Sequence, residues 1–263
     1  MAEVGWAQLI GLALGSSVLV KVLDIGYQEV GRYRERSKVA KQFHDDQVIP
    51  LIKAADELFG KLHTLAEKDF KPIHGVVLDE SCLQNREFAS LVFLFGTFWA
   101  RVEAVRVIQS TNSASNKDGK KLARFFDCLE SPKVRIVETI QQRAVGEMLV
   151  QDKGVKGYTA FVAAFEKDDA LRRWIEPLTK ILSRTKHTSE RQTILQYATV
   201  LHVMIDAFDP EHSITSDRPA LARKLGAPAW QDLNYRVFGV YLKFVEEPQI
   251  YIGPPKERAA QTA

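Results

Sequence analysis

The start of the chain constrains it most: from Val4 to Val20 there are 17 residues without a charge, bounded by Glu3 and Lys21. If Lys21 snorkels, the apolar span reaches Leu23, and about 20 residues at about 1.5 Å each cover about 30 Å, the thickness of a hydrocarbon core. Ten large aliphatics fill this window, namely Val4, Leu9, Ile10, Leu12, Leu14, Val18, Leu19, Val20, Val22 and Leu23. Each favours insertion by about 0.3–0.6 kcal/mol, while Gln8, three glycines and two serines oppose it. Two rivals exist, a cleaved signal peptide and a buried helix of a soluble protein. The first wants a positive n-region, yet Glu3 is the one charged side chain ahead of the run. Length favours a single-pass anchor over residues 1–24.

Orientation follows from the flank. Residues 21–41 carry Lys21, Arg32, Arg34, Arg36, Lys38 and Lys41, whereas no Lys or Arg precedes the run, so the positive-inside bias places the body in the cytoplasm. Lys21, Arg32, Arg34, Arg36 and Lys38 would meet anionic lipid headgroups, at about 1 kcal/mol per basic side chain. Within the anchor, Ala7, Gly11 and Gly15 form a stripe of small residues, and a G-x-x-x-G face of this kind lets two helices approach closely. Residues 25–48 read as a charged helical stalk, with Pro50 in the first turn of the next helix.

The remainder, 49–253, reads as an all-α cytosolic domain, a multi-helix bundle with no strand pattern beyond the brief IYI at 250–252, followed by a flexible tail over 254–263. Ile49, Ile52, Ala55, Leu58, Phe59, Leu62 and Leu65 step by three and four, the spacing of an amphipathic helix. Phe88 to Ala100 is uncharged over 13 residues, short for a membrane crossing and suited to a central buried helix. Residues 110–120 and 151–157 read as polar breaks. Ser131-Pro132 reads as a helix start leading through Val134, Val137, Ile140 and Ala144. Pro177 is expected to kink or divide its helix, Thr188 or Ser189 to cap the helix that stops before Pro210, and PALARKLG and NYRVFGVYLKFV to add two more helical pieces. With 46% hydrophobic residues the chain can bury a sizeable core, and 36 Lys+Arg against 33 Asp+Glu leave +3, too little to argue for nucleic acid. Cys82 and Cys128 lack C-x-x-C spacing and read as reduced thiols.

Candidate chemistry is sparse. His202 and Asp206 share one helix face, four residues apart, with Asp209, Glu211 and His212 just beyond; such a face could ligate a metal, and the balance favours a hydrogen-bonded structural pair. His44-Asp45-Asp46 contains the His-Asp dipeptide of metal-dependent phosphohydrolases, with His63 and His74 as available partners, but it lies in the charged stalk. The cationic stretch Lys180–Arg191 reads as a solvated interhelical turn. No H-E-x-x-H, G-x-S-x-G, G-x-x-x-x-G-K-[ST] or G-x-G-x-x-G occurs, and no cofactor is expected.

At FLFGTFWARVEAVR, QRAVGEML and YATVLHVMIDAFDP the chain resembles a loose group of uncharacterised bacterial proteins with a short N-terminal membrane anchor and an all-helical cytosolic body. That resemblance implies a bacterial inner-membrane setting and transfers no catalytic residue. The expected function is therefore a non-enzymatic, single-pass anchored protein whose bundle binds a protein partner or senses a signal, with the membrane and a homo-oligomer as further partners. The alternatives are a toxin-like or defence effector that oligomerises through the glycine-striped anchor, and a metal-dependent hydrolase around His202 and Asp206.

Overall fold

A computed structural model describes residues 42–78, 82–111, 117–151 and 154–255. The anchor and headgroup residues Ala7, Gly11, Gly15, Lys21, Arg32, Arg34, Arg36 and Lys38 lie outside the described residues, as does the tail beyond Pro255. The chain forms two compact units, Met1–Asp46 and Gln47–Ala263. In the first, residues 42–46 are described and helical, opening the π-helical turn His44–Val48.

The second unit is all-α. Helix α1 (Ile49–Glu67) starts with Pro50 in its first turn and buries Leu51, Ile52, Ala55, Leu58, Phe59, Leu62 and Leu65, so the three-and-four spacing does mark its core face. It ends where Asp69 and Phe70 adopt left-handed φ of 50° and 58°, which turns the chain and drops the Phe70 ring into the core. Helix α2 (Arg86–Thr111) is capped by Asn85, whose side-chain oxygen accepts the Phe88 amide at 3.0 Å. Its Phe88, Phe95, Phe98 and Trp99 are fully or nearly buried, as a central helix requires. Among the described residues no helix is long and apolar enough to cross a membrane.

Helices α3 (Lys117–Leu129), α4 (Thr139–Leu149), α5 (Tyr158–Lys167), α6 (Asp169–Ser183) and α7 (Thr188–Phe208) complete the bundle. The main packing pairs are α1 with α7, α1 with α2, and α2 with α4. At the last crossing Gly146 brings the backbones together: a Cβ there would lie 2.8 Å from the Trp99 carbonyl oxygen. Deep in the core the Trp99 indole donates to the Tyr197 hydroxyl at 2.9 Å, which satisfies a polar group that burial would otherwise penalise.

Several expectations are corrected. Ser131-Pro132 starts no helix; residues 131–137 are turns that bury Val134, Ile136 and Val137, and α4 begins at Thr139 behind a capping box between Glu138 and Gln141. Ile140, named as one of the positions of that expected helix, lies within α4 and is 65% exposed. The polar stretch at 110–120 is partly helical, since α2 runs to Thr111 and α3 starts at Lys117. The break at 151–157 holds three of the four residues of a short antiparallel pairing, Val150–Gln151 with Gly154–Val155. Of the two outcomes expected at Pro177, division is overturned: it lies inside the single helix α6, whose buried Leu171, Ile175, Leu178 and Leu182 offset the missing amide bond. Helix α7 is N-capped by His187 without a side-chain bond rather than by Thr188 or Ser189. PALARKLG yields only the short 3-10 turn Leu221–Lys224. The C-terminal layer then holds α8 (Ala227–Gln231), a ten-residue π-helix Asp232–Tyr241, and α9 (Gln249–Ile252), so IYI is helical rather than extended.

Candidate functional site

The pair nominated by sequence sits at the end of α7. Its i, i+4 spacing places His202 Nε2 3.7 Å from Asp206 Oδ2, beyond hydrogen-bond reach. What surrounds the pair was not visible in its spacing. The His202 ring is 7% exposed, stacks on Phe59 of α1 at 4.6 Å and 20°, and meets the Tyr251 ring of α9 edge-on at 5.3 Å. His212, from the segment after α7, places Nε2 3.8 Å from Asp206 Oδ1 and 3.8 Å from Asp217 Oδ1. Burial, more strongly than Asp206 can offset, pushes the His202 imidazole below its ordinary value. Burial, then the adjacent Asp206 charge, pushes the Tyr251 hydroxyl up.

Next to this cluster residues 213–215 are folded onto a single carboxylate. Asp209 accepts five hydrogen bonds, from the amides of Ser213 (2.9 Å), Ile214 (3.0 Å) and Thr215 (2.9 Å) and from the Ser213 and Thr215 hydroxyls (both 2.8 Å). Burial opposes its charge, yet these donors outweigh it and hold the carboxyl far below the usual carboxylate range. Arg218 then pairs bidentately with Asp56 of α1. Chemically this end of the bundle is a fastening. Among the described residues no group of three or more His, Cys, Asp or Glu could hold a metal ion.

The other nominated stretches fall elsewhere. His44 and Asp45 contact each other at 3.5 Å within the first unit. His63 meets the Phe59 ring edge-on at 6.0 Å, and His74 buries its Nε2. Lys180–Arg191 spans the end of α6, a tight turn and the start of α7, with Thr185 fully buried in it. Cys82 and Cys128 are buried thiols, and burial pushes that of Cys128 up. Around Trp99 and Tyr197 a void of about 10 Å³ is bordered by Glu103, Arg106, Glu130 and Gln142, enough for one water at most. Arg106 reaches Glu103 at 3.0 Å and Glu130 at 2.8 Å, while Arg143 reaches Glu130 at 3.1 Å, so these charges are consumed in tying α2, α3 and α4 together.

A roomier concavity lies in the C-terminal layer, where sequence reading saw only a helical piece. Residues Gln231, Asp232, Tyr235, Arg236 and Val240 line an open groove of about 420 Å³. The segment is π-helical: the Leu242 amide bonds the Val237 carbonyl at 2.9 Å, five residues back. That widened turn buries Leu233, Val237 and Phe238 on one side and leaves Tyr235 65% and Val240 55% exposed on the other. Tyr235 leans edge-on against Trp230 at 6.3 Å, and Asp232 pairs with Lys133 at 3.2 Å. A sequence signal did exist, in the spacing Leu233, Val237, Phe238, Leu242, which is wider than 3.6 residues allow. Comparison with protein-family models, with curated proteins and with solved structures finds no match.

Proposed function

We propose that this protein is a non-enzymatic, single-pass membrane-anchored interaction module that takes a protein partner in the groove of its C-terminal layer. The observation that carries the reading is the pairing of an exposed tyrosine and an exposed arginine, Tyr235 and Arg236, with Val240 around one open groove. Aromatic and Arg anchors are the side chains that dominate protein interfaces, and π-helical turns concentrate at functional sites. The uncharged run Val4–Val20 with its basic flank supports the anchor.

In-cell photocrosslinking tests both parts. A photoactivatable aromatic replacing Tyr235 in the full chain is expected to yield a discrete adduct in the membrane fraction, diminished by Arg236→Glu, while the same group at exposed Ile140 yields none. Equal labelling at both positions overturns the groove reading, and recovery of the chain in the soluble fraction without detergent overturns the anchor. An adduct at twice the chain mass replaces the foreign partner with a second copy.

A further inference from the structure

The groove segment and the His202 cluster are not independent. Tyr251, which meets the His202 ring edge-on, also stacks against Phe238 of the π-helix at 6.3 Å and 22°. Two polar contacts reinforce the link: Trp230 Nε1 donates to the Gly253 carbonyl at 3.2 Å, and Gln249 Nε2 to Asn234 Oδ1 at 3.5 Å. Phe59, His202, Tyr251 and Phe238 therefore form one file of rings running from α1, through α7 and α9, into the segment that shapes the groove.

We propose that His202 is a proton-operated latch: neutral, its ring is clamped between Phe59 and Tyr251 and holds the Gln249–Ile252 turn on the bundle; protonated, it leaves that sandwich and loosens the turn and the groove segment stacked on it. Every charged or titratable neighbour bears on this. On α1, His63 lies beside Phe59 and would repel a second cation, while Asp56 is already engaged by Arg218. On α7, Asp206 is the attracting carboxylate, but its other oxygen faces His212, and Asp209 is spent on its five donors. From the segment after α7, His212 repels and Asp217, itself 3.8 Å from His212, attracts from the rim. On α9, Tyr251 keeps its proton, donates it to Asp206 and offers no charge.

The sign follows from burial. The closed form resists the proton that a solvated imidazole accepts, so the open form binds more protons and the closed form loses ground as pH falls below the ordinary imidazole value. With an open-state value of about 6.5 and a lower closed value, the opening equilibrium rises between about pH 7.5 and 5.5, by at most about tenfold. The consequence for partner binding rests on the groove being the interaction surface; the latch itself can be read without any partner.

Hydrogen exchange followed by mass spectrometry on the full chain, corrected for intrinsic chemical exchange, tests it. Wild-type amides in 249–253 are expected to lose protection over that pH interval, by up to about tenfold, while α2 stays constant. His202→Phe, which keeps the stack and cannot titrate, should hold its protection at both pH values, and His212→Gln, which removes a repelling neighbour, should still lose protection as pH falls. Unchanged wild-type protection overturns the latch and needs no variant to fold. Equal loss in His202→Phe, or abolition by His212→Gln, overturns it by assigning the proton elsewhere. None of these outcomes touches the crosslinking result at Tyr235, so the two readings fail separately.

Discussion

Replacing Asp209 by alanine is expected to destabilise the protein by about 2–4 kcal/mol, and the estimate can be built from its surroundings. The carboxylate is 5% exposed and accepts three backbone amides and two hydroxyls from Ser213, Ile214 and Thr215. Bonds to a charged acceptor are worth about 1.5–3 kcal/mol each when their loss leaves a buried group bare. Ser213 is exposed and Ile214 and Thr215 half-buried, so water can recover most of the donors and the sum falls well below five full bonds. For a body of this size that loss lowers the melting temperature by about 4–16 °C. Urea titration followed by circular dichroism measures it, with Asp209→Asn as the shape-preserving control, since the amide nitrogen cannot accept the donors that face it. The pH dependence has a definite sign. Because the folded carboxyl is held below its ordinary value of 3.8, its stabilisation is complete above that value and drains away as pH falls under it. Wild type should therefore lose stability more steeply than Asp209→Ala below about pH 4. A loss under about 0.5 kcal/mol, or parallel acid limbs in the two proteins, would refute the reasoning.

Two further substitutions probe the core. Gly146→Ala should cost about 1–3 kcal/mol by urea titration despite alanine's better helix propensity, because its Cβ meets the rigid Trp99 carbonyl; Gly96→Ala, which meets only a Leu149 methyl that can swing aside, should cost less. Tyr197→Phe strips the Trp99 indole of its buried acceptor and should cost about 1–3 kcal/mol, and a cost near zero would mean that water in the adjoining void takes over the bond.

The helices that carry the bundle were legible because their burial is periodic: α1, α2 and α7 each show apolar residues at three-and-four spacing or an unbroken apolar centre. The errors have local causes. Val134 and Val137 are apolar because turns bury them, so their spacing imitated a helix, and the true start at Thr139 is signalled only by Gln141 reaching back to the Glu138 amide at 3.2 Å. Ile140 is apolar yet exposed, which no periodicity argument can anticipate. At the candidate sites, the shared face of His202 and Asp206 was legible, but the rings that give His202 its character come from residues 59 and 251. Those partners are set by tertiary packing across the whole chain.

The distribution of fastenings explains why sensing and binding would sit in the C-terminal layer. The α1, α2, α4 and α7 core is joined by buried aliphatic and aromatic surface, whose opening exposes large apolar area and is correspondingly costly. Residues 209–255 lean on that core partly through discrete polar contacts: Arg218 with Asp56, Lys224 with Asp69 at 3.2 Å, and Gln192 with the Gly226 amide at 2.6 Å and the Lys224 carbonyl at 3.0 Å. Contacts of this kind contribute little each when exposed, and they respond to charge in a way that apolar packing does not. A layer held so can be shifted by one proton or one partner without unfolding the bundle beneath it. In the proposed latch, the ring contacts from Phe59 to Phe238 are what join His202 to the groove segment.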